Sequence, residues 1–194
     1  MDRPARRDGE ATRQKLLRAA LELYTTVGYR ATTTPEIAAR AGVAEGTIYR
    51  HFSGKEHLLN EAYRATHRWA HGLVTEGGGD PAPVPERLER IARRLLEGAE
   101  RDPAAARMLL VAREDRHLDE RSREAAREFR DALQQVIASG KSDGLVRAGP
   151  AELWAAVWLA VIAYAAERIA AREWTTEQPQ VGQVLAAAWD AIKQ

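Results

Sequence analysis

The stretch TPEIAARAGVAEGTIYRHF, residues 34–52, falls into two short apolar segments on either side of Gly42. Thr33 or Thr34 ahead of Pro35 and Glu36 spells a helix start: a polar cap, a proline in the first turn and an early acid. The helix runs through Ala41. Gly42 stops it, because a left-handed residue at a helix end costs glycine no Cβ clash. Val43-Ala44-Glu45 starts a second short helix that runs through His51. Ile37, Ala41, Val43, Ile48 and Phe52 supply a small core, and Ala38 is small where the two helices cross. Helix, glycine turn, helix is the spacing of a DNA-binding helix-turn-helix, whose second helix offers its N-terminal residues to the major groove. On spacing alone, an ordinary helical hairpin in a bundle competes with it.

Working outward, Leu16, Leu17, Ala20, Leu23, Tyr24 and Val27 recur at helical spacing and predict a helix over 10–27, closed by Gly28. Ser53-Gly54-Lys55-Glu56 starts a long fourth helix. GGGDPAPVP, residues 77–85, is a glycine-proline break and the clearest internal linker. Leu88, Ile91, Ala92, Leu95, Leu96 and Ala99 mark the next helix, ended by Arg101-Asp102-Pro103. A shorter one is expected over 104–114, and another over 119–139 with Ala126, Phe129, Leu133, Val136 and Ile137 on one face. GKSDGLVRAGP, residues 140–150, is expected as a loop. The last helices are predicted at 151–173 and 177–192. No segment alternates with period two for long and no repeat is present, so the chain is all-α with about nine helices.

Composition narrows the class. Hydrophobic residues are 45% and charged residues 29%, enough apolar material for a core. No cysteine occurs, which removes disulfides, thiolate metal sites and cysteine nucleophiles together and fits a reducing cytoplasm. The N-terminus has no apolar segment of a secretory signal. The longest apolar run, Leu153 to Ala166, falls short of the roughly 20 residues of a membrane span, so a buried helix in a cytoplasmic protein is expected. Net charge is +1, but residues 1–55 hold ten basic side chains against six acidic ones. A basic head on a slightly acidic body suits phosphate contact. No G-x-S-x-G, G-x-G-x-x-G or H-E-x-x-H occurs. Gly140-Lys141-Ser142 is like the end of a phosphate loop, but Gln135 stands where its first glycine belongs. No enzymatic activity and no cofactor are expected.

Gly28-Tyr29-Arg30-Ala31-Thr32-Thr33, Ile37-Ala38, Ala41-Gly42-Val43, Gly46-Thr47-Ile48-Tyr49, His51-Phe52 and Lys55-Glu56 together resemble the TetR (tetracycline-repressor-like) family signature over residues 10–63. The resemblance implies a dimeric regulator, usually a repressor, that leaves its operator when a small molecule enters the C-terminal domain. It divides the chain into a helix-turn-helix domain, 1–55, and a ligand-binding and dimerisation domain, 56–194. Ala44 and Gly54 depart from it, since each stands where a polar cap is common, and a lost cap weakens a helix start by about 0.5–2 kcal/mol. The expected DNA contacts are Thr33 and Thr34 with the amides that follow, as a phosphate site at a helix N-terminus. Glu45 and Thr47 touch base edges, and Gly46 allows close backbone approach. Tyr49 and His51 donate to phosphate, and Lys55 adds charge. Arg3, Arg6 and Arg7 form either an arm over the DNA or a solvated tail.

In the C-terminal part, the helix at 151–173 is apolar almost all round and must be covered on several sides. The last helix carries Val181, Val184, Leu185, Ala188, Trp189 and Ile192 on one stripe. Paired with their two-fold mates, these two helices make the four-helix bundle of a homodimer that the resemblance implies, bound to an inverted-repeat operator in double-stranded DNA. Trp69, His71, Met108, Phe129, Trp154 and Trp158 are the candidate effector residues, since large side chains line a cavity as well as fill one. His67 and His71 share a helix face, but no carboxylate is placed beside them and no metal is expected. A helical scaffold or adaptor without DNA binding is the rival function.

Overall fold

The computed structural model describes residues 3–76, 82–110 and 115–194. Among these, helix dominates, and the only extended pairing is a single bridge between Val146 and Lys193. The chain divides into two compact units: Met1–Ala65 with Ala112–Arg123, and Thr66–Val111 with Glu124–Gln194.

The first unit opens with α1 (Arg3–Thr26), which starts well before residue 10, so the backbone of Arg3, Arg6 and Arg7 is helical. Their side chains lie outside the described residues. α2 (Thr34–Ala41) ends at Gly42, whose φ of 68° and ψ of 37° are left-handed. Its N–H returns to the Ala38 and Ala39 carbonyls. A β-carbon in that conformation costs about 1–2 kcal/mol, which is why glycine stands there. The second segment starts as a 3-10 turn, Glu45–Thr47, and continues as α3 (Ile48–His51). α4 (Lys55–Thr75) follows. Leu16, Ala20, Ile37, Ile48, Phe52, Leu58 and Leu59 are buried together in this unit. Ile48 is wholly buried, worth about 1.5–3 kcal/mol, so the recognition segment is anchored by one side chain.

The second unit contains the C-terminal part of α4, then α5 (Val84–Arg101), α6 (Pro103–Leu110), most of α7 (Glu120–Ser142), α8 (Ala151–Ala170) and α9 (Pro179–Asp190). The break expected at 77–85 lies partly outside the described residues, as does the end of the helix expected at 104–114. α5 buries the predicted face: Leu88, Ile91, Ala92, Leu95, Leu96 and Ala99. α7 runs three residues into the expected loop. Gly140 is helical and buried because Val146 and Val84 pack against its backbone; a β-carbon there would come within 2.8 Å of Val146. α8 stops earlier than expected, at Ala170, where Arg172 turns to a φ of 63°. α8 has 20 residues, long and apolar enough to cross a membrane by length and composition. Here it packs against α5, α6 and α9, with Trp158, Ile162 and Ile169 buried.

The stripe on α9 proves to be core of its own unit: Val181, Leu185, Ala188 and Ile192 are buried. Arg147 N–H to the Ile192 carbonyl (3.0 Å) and Gln194 N–H to the Leu145 carbonyl (2.9 Å) fasten the end of the chain beside α9. α8 leaves another stripe open, with Leu153 and Tyr164 exposed and Val157 and Val161 half-buried between them.

Candidate nucleic-acid interface

Thr33 caps α2, and its partner is Glu36. The Thr33 N–H and hydroxyl donate to the Glu36 carboxylate at 2.7 and 2.8 Å, and the Glu36 N–H returns to the hydroxyl at 3.5 Å. Hydrogen bonds from the Thr33 side chain and then its backbone hold the Glu36 carboxyl below its ordinary value. Pro35 has no N–H and the Ile37 N–H goes to the Thr33 carbonyl at 3.1 Å. The expected phosphate site is therefore narrower than the sequence suggests. Of the first-turn amides, the Thr34 N–H has no hydrogen-bond partner among the described residues, and the Glu36 carboxylate lies close by.

Glu45, Gly46, Tyr49 and Arg50 are exposed on the recognition segment, while Thr47 and His51 are half-buried. Ala44 supplies no side-chain cap, in keeping with its residue type. The Tyr49 hydroxyl, on a side chain 57% exposed, lies 3.3 Å from the Thr34 hydroxyl. These two candidates from different helices are thus brought onto one edge. Gly54 supplies no side-chain cap to α4, and the chain ahead of it is tied to the first turn instead, where His57 Nδ1 accepts the Ser53 N–H at 3.2 Å.

Lys55 faces inward. Its ammonium donates to the carbonyls of Tyr29 (3.1 Å), Thr32 (3.0 Å) and Arg30 (3.4 Å) and sits 4.5 Å from the Tyr29 ring centroid. Three donors thus meet three carbonyls, and the cation fastens the turn between α1 and α2. Tyr24, which is buried, donates its hydroxyl to the Lys55 carbonyl at 2.7 Å, and burial pushes its phenol pKa far up.

The effector candidates all belong to the second unit but do not gather at one site. Trp158 is buried and lines a cavity of about 200 Å³ with Leu88 and Ala92 of α5 and Leu185 and Trp189 of α9. Trp69 is half-buried with its indole on α5 at Gly98, where a β-carbon would meet it at 2.4 Å. Phe129 is buried and meets the ring of His67 edge-on at 6.4 Å. Met108 is buried on α6 and His71 is half-buried on α4. Trp154 is tied to a loop, donating to the Ala148 carbonyl at 3.1 Å under the Arg147 guanidinium. Among the described residues, no three histidine or acidic side chains cluster as a metal site.

A family model of bacterial regulatory proteins, tetR family, matches residues 16–62, and one of the tetracyclin repressor-like C-terminal domain matches residues 77–194. The chain belongs to the TetR family. It is 45% identical over 65 residues to the uncharacterized HTH-type transcriptional regulator YvkB of Bacillus subtilis, a match covering 34% of each protein. It is 28% identical over 135 residues to the HTH-type transcriptional repressor KstR2 of Mycobacterium tuberculosis, covering 66% of this chain and 68% of that one. The fold is that of a TetR family transcription regulator from Marinobacter aquaeolei, with TM-score 0.76, 20% identity and coverage of 97% and 99%.

For a TetR-family chain, sequence reasoning missed two groups. Arg30 and Arg50 are exposed beside the interface, and only their surfaces reveal them, since arginine carries no periodic signal. The other is the segment His117–Ser122, which the sequence places at the start of the helix expected over 119–139 and which folds with the first unit. There Arg64 of α4 joins Glu61, Asp119 and Ser122. The Arg64 hydrogen bond is the chief cause that lowers the Glu61 carboxyl, against the opposing effect of burial. Burial pushes Asp119 up, but the hydrogen bonds from Arg64 and Ser122 outweigh it and hold the carboxyl below its ordinary value.

Proposed function

We propose that this TetR-family protein is a ligand-responsive transcriptional repressor, a cytoplasmic homodimer that holds an inverted-repeat operator and releases it when a small apolar or amphipathic effector binds. The observation that carries this is the recognition segment. Glu45, Gly46 and Tyr49 stand exposed on a turn anchored by the wholly buried Ile48, a shape with no use to a closed helical bundle. Residues 1–55 hold the DNA and 56–194 hold the effector and the dimer contact. Thr34 and Tyr49 bind phosphate, with Thr33 shaping the site and His51 beside it. Glu45 and Thr47 read bases, Gly46 admits the backbone, and Arg30 and Arg50 supply the charge that Lys55 spends internally. No step of catalysis is assigned.

The dimer forms through the open α8 stripe, Leu153–Val157–Val161–Tyr164, with α9. The effector enters the second unit beside Trp158, with Trp69, His71, Met108, Phe129 and Trp154 as the surrounding candidates. The α5–α8–α9 cavity of about 200 Å³ and a second of about 280 Å³ among α6, α7 and α8 are small beside ordinary ligand sites of about 300–1,000 Å³. Effector binding therefore widens the unit, and the state so favoured differs from the one that holds DNA. α4, with residues in both units, is the natural lever. A gel shift with the DNA flanking the protein's own gene tests the function. A shifted band competed by unlabelled flanking DNA but not by random DNA supports it; a chain that shifts neither is the scaffold protein instead.

A further inference from the structure

Asn60 and Arg64 are among the few polar side chains buried in the first unit, 3% and 8% exposed, and both serve the segment that precedes α7. The Asn60 amide donates to the His117 carbonyl at 2.9 Å and accepts the Asp119 N–H at 2.8 Å. Arg64 donates to both oxygens of Asp119 at 2.8 and 2.9 Å and to the hydroxyl of Ser122, a wholly buried residue, at 3.0 Å. Its other nitrogen reaches Glu61, which also takes Arg13 of α1. Asp119 at the same time caps α7, accepting the Ser122 N–H at 2.8 Å. One carboxylate thus begins a helix and grips a buried guanidinium, a group that needs its partners to be tolerated there.

His117 completes the contact. Its imidazole lies on the Tyr29 ring, centroid to centroid 4.3 Å. Tyr29 is buried beneath the Lys55 ammonium, and its carbonyl accepts from that ammonium. The turn it belongs to runs straight into Thr33, the cap of α2, and α2 touches the recognition segment through Thr34 and Tyr49. Nothing in this chain of contacts reaches outward to DNA until its last members.

We propose that the strap His117–Ser122 is a positioning element of the DNA interface. By gripping α4 and Tyr29 it holds the α2 N-terminus and the recognition segment in register for DNA, so that displacement of α7 at its first turn weakens operator binding from a distance. This rests on the DNA-binding function proposed for the unit. The test uses the full-length protein and the duplex that wild type enriches from a random-sequence library, titrated to obtain Kd per active site and the salt slope. His117→Ala and Asp119→Asn each weaken binding by about tenfold, an ordinary coupling. The salt slope stays within about half a unit of wild type, because no phosphate contact is lost. His117→Phe, which keeps the ring contact, restores affinity to within about threefold of wild type. Affinities per active site unchanged in both weakening variants, whatever their thermal stability, overturn the strap's role, as does a Phe variant no better than Ala. His117 is only half-buried, so its variants report even if Asp119→Asn fails to fold. A wild type that enriches no duplex overturns the DNA-binding function itself, and the strap's role with it.

Discussion

Thr47 and Lys55 stand at two adjacent helix starts, both half-buried, and hydrogen bonding separates their roles. Thr47 is half-buried at the head of α3, with its hydroxyl in no hydrogen bond among the described residues. Thr47→Ala relaxes specificity at one base pair by about 1–3 kcal/mol and leaves random DNA unaffected; competition with single-base operator variants measures it. Lys55 has three carbonyls to satisfy, so Lys55→Ala lowers stability by about 1.5–3 kcal/mol, the range for hydrogen bonds to a charged group. The salt slope of DNA binding then stays where it was, whereas a fall of about one unit places the ammonium on phosphate after all. Glu61 and Asp119 are both held below their ordinary values. Their contribution to stability is complete above the ordinary carboxylate range, about 4, and disappears as pH falls through their lowered native values. Circular-dichroism melts from pH 6 to pH 3 therefore show a Tm that drops on acidification, less steeply in Asp119→Asn than in wild type.

Among the helices, α8 carries the element-level prediction. Leu153 and Tyr164 are exposed in the protomer, so Leu153→Arg and Tyr164→Arg leave the fold intact and give monomers by sedimentation. A dimer that survives both substitutions places the interface elsewhere. Leu185→Arg, which the stripe on α9 first suggests, buries an unpaired charge in the protomer core and tests folding instead. The contrast between α5 and α9 shows what periodicity can tell. Both stripes announce a buried face, and the six residues named on α5 are all in the core. Periodicity does not say whose core, however, and the α9 stripe turned inward within its own unit. The helix-turn-helix was legible because Thr33, Pro35 and Gly42 act locally through caps and φ. The inward turn of Lys55 depends on carbonyls 23 to 26 residues away, and the strap on Asn60 and Arg64 meeting residues more than 50 positions later. Contacts at that separation leave no pattern in sequence. α7 outruns its expected end for a related reason, since Gly140 spells a stop by residue type while Val146 and Val84, packed against its backbone, hold it in the helix.

For the whole molecule, the proposed repressor needs two heads at once. A single head presents a recognition segment of seven residues, Glu45–His51, and a dimer doubles it across half-sites roughly 34–36 Å apart, or adjusted from that by bending. α4, 21 residues long at about 1.5 Å per residue, extends roughly 30 Å and contributes to both units, which gives an effector a continuous element to bias. The most direct measurement is the affinity of the full-length protein for its selected duplex and for a scrambled duplex of equal length, by fluorescence anisotropy at 150 mM salt, with stoichiometry from saturation. One dimer per inverted repeat, bound at least about a thousandfold more tightly than scrambled DNA, is the expected result. Equal affinity for the two duplexes, or saturation at one protomer per repeat, contradicts a dimeric sequence-reading repressor.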